Sequence, residues 1–231
     1  MSQPPPTASR SRHELRAWRN TVFAIFVLSG LSLASWVARI PGVRDELGLG
    51  RDPSAVGLLI LGMSVGAIVG LTLSSPVLVR FGPHKGMAVS LVIAAVGTAL
   101  VGAGATVSHS VPAVAAGLIL LGFGNGMVDV MMNVEGTAVE RETGKTLLPL
   151  MHAFFSLGTV IGAGLGAAAA ALDIAVAWHL SFIAVVLVAV AAIAIRFIPR
   201  EDALGEETGP KERLAFACAQ RCRSGPMGAW S

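Results

Sequence analysis

Leu61-Gly62-Met63-Ser64-Val65-Gly66-Ala67-Ile68-Val69-Gly70 returns 96 residues later as Leu157-Gly158-Thr159-Val160-Ile161-Gly162-Ala163-Gly164-Leu165-Gly166. Leucine, three glycines and an alanine keep their places. Glycines four apart lie on one face of a helix and let a second backbone approach closely, a packing device of helices in lipid. In water each such glycine would weaken the helix by about 1 kcal/mol relative to alanine. The same offset maps Pro53 onto Pro149, Gly30 onto Gly126 and Arg39 onto Glu135. A period of this kind marks two copies of one structural unit.

The two decamers sit inside continuous apolar runs, Ala55 to Val79 and Leu147 to Leu172. Four more runs extend from Thr21 to Val37, Met87 to Val107, Val111 to Val134 and Ala175 to Ile198. Each is near the ~20 residues that a helix needs to cross hydrocarbon. A membrane barrel would show short strands with alternating polarity, which these Ala/Leu/Gly-rich runs do not. The whole chain of 231 residues is 54% hydrophobic and only 13% charged, with a mean hydropathy of +0.71, whereas soluble domains carry roughly 25% charged residues. The expected fold is therefore all-α, with six transmembrane helices. Three spans per unit place the second unit upside down relative to the first, an inverted 3+3 repeat.

Arg10, Arg12, Arg16 and Arg19 precede the first run, but no small-residue cleavage site follows it, so it reads as a span and not as a signal peptide. With the N-terminus inside, 14 Lys and Arg residues fall on the cytoplasmic side and three, Arg39, Arg44 and Arg51, on the other. The positive-inside rule then puts both termini in the cytoplasm of a multi-pass protein of the cell membrane. Residues 1–18 form an N-terminal tail, 19–200 the six-helix bundle, and 201–231 a polar, disordered tail holding Cys218 and Cys222. Two cysteines at that spacing, without His nearby, read as unpaired thiols and not as a metal site. Basic residues lie between apolar spans and not on a folded face, which excludes nucleic acid as a partner.

Ser35-Trp36-Val37-Ala38-Arg39-Ile40-Pro41 and Asp129-Val130-Met131-Met132-Asn133, on a six-span inverted repeat, resemble the fucose-permease-like branch of the major facilitator superfamily. The similarity covers 19–200 and corresponds to the N-terminal half of such a transporter. The family's loop motif after span two is similar to Ser75-Pro76-Val77-Leu78-Val79-Arg80-Phe81-Gly82-Pro83-His84-Lys85: Arg80, Gly82 and Lys85 match, while Ser75 and Val79 replace the glycine and the aspartate. The resemblance implies two six-helix halves around one cavity, and this chain shows one half. A half-transporter that dimerises, a partner of a separate half and a truncated product are the alternatives, and the composition of the tail favours truncation.

Ionisable groups inside hydrocarbon are costly and are functional by default. Asp129 lies with Asn125 and Asn133 at spacing four on one face of span four, and the resemblance makes that face a substrate or proton-handling surface; a structural carboxylate is the other reading. Ser29, Ser32, Trp36 and Arg39 share one face of span one. There an indole can stack on a solute and a guanidinium can hold an anion, or both can sit in an ordinary interfacial belt. Glu135 closes span four within reach of water, Arg141 and Lys145, the setting of an interfacial ion pair. His152, Ser156 and Thr159 form a polar line on span five, in which His152 can exchange a proton near neutrality or simply be solvated. His179, without polar companions at helical spacing, falls at the outer boundary.

No phosphate-binding loop, H-E-x-x-H or nucleophile elbow is present, so no enzyme activity and no cofactor are expected. Two functions remain. One is a secondary transporter of a small polar organic solute, proton-coupled through Asp129, with lipid, solute and a second half or copy as partners. The other is a non-transporting remnant or assembly partner.

Overall fold

The computed structural model describes residues 11–50 and 53–198. Arg10, Arg51, Cys218, Cys222 and the rest of the polar tail lie outside the described residues. Among the described residues six helices follow one another: α1 (Arg12–Ala38), α2 (Ile40–Glu46), α3 (Pro53–Thr106), α4 (Val111–Thr143), α5 (Leu148–Ala171) and α6 (Val176–Phe197). All but the short α2 are long and apolar enough to cross a membrane.

At 54 residues, α3 would measure about 81 Å if straight, more than twice the hydrocarbon thickness. It is broken at Gly82, whose φ of 74° and ψ of 166° are open to glycine and strained for other residues. Pro83 follows with no N–H to continue the ladder. The two limbs, 53–81 and 83–106, fold back on each other. Gly66 of the first limb abuts the Ile119 carbonyl of α4, while Gly97 of the second abuts Gly117 and Leu121 at the same level. Five long helices thus supply six limbs of crossing length.

Glycine seams hold the bundle, and two of them match each other. Between α1 and α5, Gly30 lies on the Phe155 carbonyl, Gly158 on that of Val27 and Gly162 on that of Leu31. Between α4 and the first limb of α3, Gly122 lies on the Met63 carbonyl, Gly66 on that of Ile119 and Gly70 on that of Phe123. A Cβ at any of these positions would collide with the facing backbone. Every residue of one seam has its counterpart 92 residues away in the other. The structural correspondence is thus one helical turn shorter than the 96-residue offset of the decamers.

Buried apolar side chains form two cores at opposite ends of α1. One gathers Trp18, Phe26, Met87, Met127, Met131 and Met151. The other gathers Trp36, Val43, Leu59, Leu118, Val176 and Leu180. Outward, Leu61, Val65 and Ile68 of the first limb, Leu157 and Val160 of α5, and Phe182 and Val185 of α6 are exposed. An apolar surface of this extent belongs in lipid.

Helices overrun the apolar runs where polar caps allow it. The capping box of Ser11 and Glu14 starts α1 at Arg12, inside the stretch read as a tail. α4 continues nine residues beyond Val134, and Glu140 near its end accepts the N–H groups of Leu147 (2.5 Å) and Leu148 (2.7 Å), capping α5. At the opposite end Glu46 accepts the Thr106 hydroxyl (2.7 Å), and Thr106 accepts the Ala177 N–H (3.0 Å). That chain of bonds ties α2, α3 and α6 together.

Candidate functional site

The spacing of four along α4 does bring Asn125, Asn133 and Asp129 onto one side, and α5 meets that side with His152. Asp129 and His152 are exposed and Asn133 is half-buried. The Asn133 amide donates to the Asp129 main-chain carbonyl (2.7 Å), and its Oδ1 faces His152 Nε2 at 3.2 Å. An amide oxygen only accepts, so this contact is a hydrogen bond in the tautomer that carries its proton on Nε2. The His152 ring stands edge-on to Phe26 of α1, centroids 5.2 Å apart, which fixes the imidazole plane. His152 also lies within electrostatic reach of the Asp129 carboxylate. Ser156 donates to the His152 carbonyl (3.2 Å) and Thr159 to that of Ser156 (2.7 Å), leaving the hydroxyl oxygens able to accept. Asn125 is half-buried, with its Nδ2 lacking a protein partner.

This face therefore offers a carboxylate, an imidazole, amides and hydroxyls. It can hydrogen-bond a polyhydroxylated or amide-bearing solute, and a carboxylate beside an imidazole can pass a proton. Among the described residues no three His, Cys, Asp or Glu side chains come together as a metal site requires.

The polar line on α1 lies elsewhere. Ser29 and Ser32 are buried, their hydroxyls without a protein partner. Trp36 is 2% exposed and packs in the core with Val176 and Leu180, so it is neither a belt residue nor part of the open face. Arg39 is 5% exposed and does not snorkel: its Nη2 donates to the Ile174 carbonyl (2.5 Å) in the α5–α6 connection. His179, in the first turn of α6, is 7% exposed.

Glu135 is not within reach of water, contrary to what its place at the end of an apolar run suggests. It is 1% exposed, and its Oε2 accepts the Trp18 indole N–H at 2.6 Å. The helical extension of α1 down to Arg12, which the Ser11–Glu14 capping box signals locally, carries Trp18 over the end of α4. Of the loop-motif residues, Gly82 makes the break in α3. Arg80 is exposed and lies over the Phe81 ring (5.8 Å), and Lys85 rims an apolar crevice lined by Val77, Phe81, Phe123 and Met127. Arg141 is exposed in the last turn of α4.

Residues 21–230 match the model of the Major Facilitator Superfamily. The chain belongs to that superfamily. It is a multi-pass membrane protein of a transporter family, and the match runs past the last described helix. An uncharacterized MFS-type transporter of Yersinia pestis is 29% identical over 140 residues, covering 60% of this chain and 35% of the relative. An uncharacterized transporter of Sinorhizobium fredii is 30% identical over 155 residues, covering 67% of this chain and 39% of the relative. The membrane protein MosC of Rhizobium meliloti is 26% identical over 137 residues, 59% of this chain and 32% of its own length. The chain thus spans well under half the length of each of these relatives. No solved structure matches.

Proposed function

We propose that the chain forms one six-span wall of a secondary transporter that carries a small polar organic solute along the Asp129–Asn133–His152 face. The observation that carries this reading is the exposure of a carboxylate, an imidazole and a hydroxyl, Asp129, His152 and Ser156, within the apolar stretches of α4 and α5. Polar groups in that position are costly against lipid and favourable against a water-filled path. A second bundle, from a longer protein, a partner or a second copy, supplies the opposite wall, in keeping with the length of the relatives.

The wall is built as two inverted three-span units, which the matched glycine seams support. The distribution of Lys and Arg favours cytoplasmic termini in the cell membrane. Asp129 is the proton carrier, with His152 as its neighbour. The Trp36–Arg39 and Asp129–Asn133 segments favour the fucose-permease-like branch, so monosaccharides are the first solutes to try.

The test is uptake into proteoliposomes holding the chain, alone or with its second bundle, under an imposed inward proton gradient. Accumulation of one monosaccharide of a panel, lost in Asp129→Asn while exchange of that sugar persists, is the expected result. Undiminished accumulation by Asp129→Asn would give that residue a structural role.

A further inference from the structure

We propose that the crevice at the bend of α3 holds an acyl chain of an anionic phospholipid, with Arg80 and Lys85 on the lipid phosphate. The crevice, about 390 Å³, opens beside the break at Gly82 and is walled by Val77 and Phe81 of the first limb, Val89 and Ile93 of the second, and Phe123 and Met127 of α4. Every atom it exposes is apolar, so Lys85 lines it with its methylene stem and keeps the ammonium outside. A polar solute would lose its hydrogen bonds there, whereas a hydrocarbon chain loses none. The two limbs each have crossing length, so the break between them lies at a membrane face, where lipid headgroups begin. Phe81 and Val89 are each 52% exposed, which leaves the crevice open to the side.

Charge selects the headgroup. From Pro53 to Val128 the sequence contains no Asp or Glu, and Arg80 and Lys85 are its only Arg and Lys. All the walls of the crevice come from that stretch. Arg80 stands over the Phe81 ring at 5.8 Å, which ties the guanidinium to the crevice wall, and Lys85 is exposed at the rim. Among the described residues neither base is paired with a carboxylate. A greasy slot with two unpaired cations at its mouth matches an amphiphile with an apolar tail and an anionic head. Phosphatidylglycerol has that form. Phosphatidylcholine carries a cation of its own beside the phosphate, which the two bases repel. A lipid so held would brace both limbs of α3 against α4.

Native mass spectrometry on the full chain tests the site, counting single lipid adducts as phosphatidylglycerol or phosphatidylcholine is titrated into detergent micelles. One phosphatidylglycerol should bind about tenfold more tightly than phosphatidylcholine, and Arg80→Gln and Lys85→Gln should each weaken it about fivefold, the effect of removing one base near an anionic lipid. Val89→Trp, which fills the crevice and keeps both bases, should weaken it at least as much. Each variant is checked for helicity by circular dichroism. Glycerol 3-phosphate, a headgroup without chains, should not displace the wild-type adduct, and this competition decides where Val89→Trp does not fold. Equal affinity for the two lipids, unchanged affinity in both base variants, or displacement by glycerol 3-phosphate would overturn the proposal. So would a dimer that excludes the lipid and is split by Val89→Trp, since the crevice would then belong to a second copy of the chain.

Discussion

The glycine seams and the polar face lie on the same helices and are built on opposite terms. Along the seams, α1 against α5 and α4 against the first limb of α3, backbone touches backbone at the glycines, and across the first of them the Ser35 hydroxyl donates to the Gly162 carbonyl (3.4 Å) and Phe23 stacks edge-on to Phe154. On the face between them α4 and α5 meet through side chains, chiefly Asn133 and His152 at 3.2 Å. The seams are held chiefly by close backbone contact at glycines, which leaves the polar groups of the face little used for structure. Stability and function should therefore separate by residue, and substitutions can be ranked accordingly.

The largest loss is expected in a seam. Gly158→Leu sets a side chain where the Val27 carbonyl lies, a clash that rotamers cannot relieve, and should cost about 3 kcal/mol or more in denaturant titrations in bicelles. Gly164→Ala, on the same helix with nothing within 4 Å, should be neutral or stabilising. A well-folded Gly158→Leu would remove the seam as the basis of the fold.

An intermediate loss belongs to the bond between Trp18 and the buried Glu135 carboxylate. Trp18→Phe keeps most of the ring and deletes the N–H, at a cost of about 1.5–3 kcal/mol for a hydrogen bond to a charged group. The same titration measures it, and a value near zero would place Glu135 outside the structural set. On the face itself, His152→Ala removes an exposed ring and one hydrogen bond, and should cost less than about 1 kcal/mol. Asp129→Asn should change stability by no more than about 0.5 kcal/mol. A Asp129→Asn protein as unstable as Trp18→Phe would erase the distinction between face and seam.

Much of the architecture was legible because lipid imposes it. Apolar length gave the six limbs, and the G-x-x-x-G spacing gave the seam-forming faces of α5 and the first limb of α3. The 92-residue correspondence was hidden, since the best letter match, Leu61 to Gly70 on Leu157 to Gly166, is displaced one turn from the match of contacts. Periodicity also placed Ser29, Ser32, Trp36 and Arg39 on one face correctly. It could not say which neighbour that face meets, and Trp36 and Arg39 turned inward to α6 and the α5–α6 connection. Glu135 looked interfacial because it closes an apolar run; the Ser11-x-x-Glu14 capping box announces the extension of α1, but that Trp18 then reaches Glu135 is a tertiary fact. Asp129, Asn133 and His152 were each visible as polar residues in apolar runs, but their meeting across 19 residues of sequence was not.

Substituted-cysteine accessibility tests the solute face most directly. Single cysteines at Ser156, Asn125 and Asp129 would be compared, in membranes and with Cys218 and Cys222 replaced by serine, with cysteines at Phe182 and Val185 on the apolar exterior of α6. A water-soluble, membrane-impermeant thiol reagent should modify the first group from at least one side of the membrane and leave the second unmodified after detergent-free exposure. Equal protection of both groups would mean that the Asp129 face meets lipid or packed protein instead of a water-filled path, and would contradict its role in carrying solute.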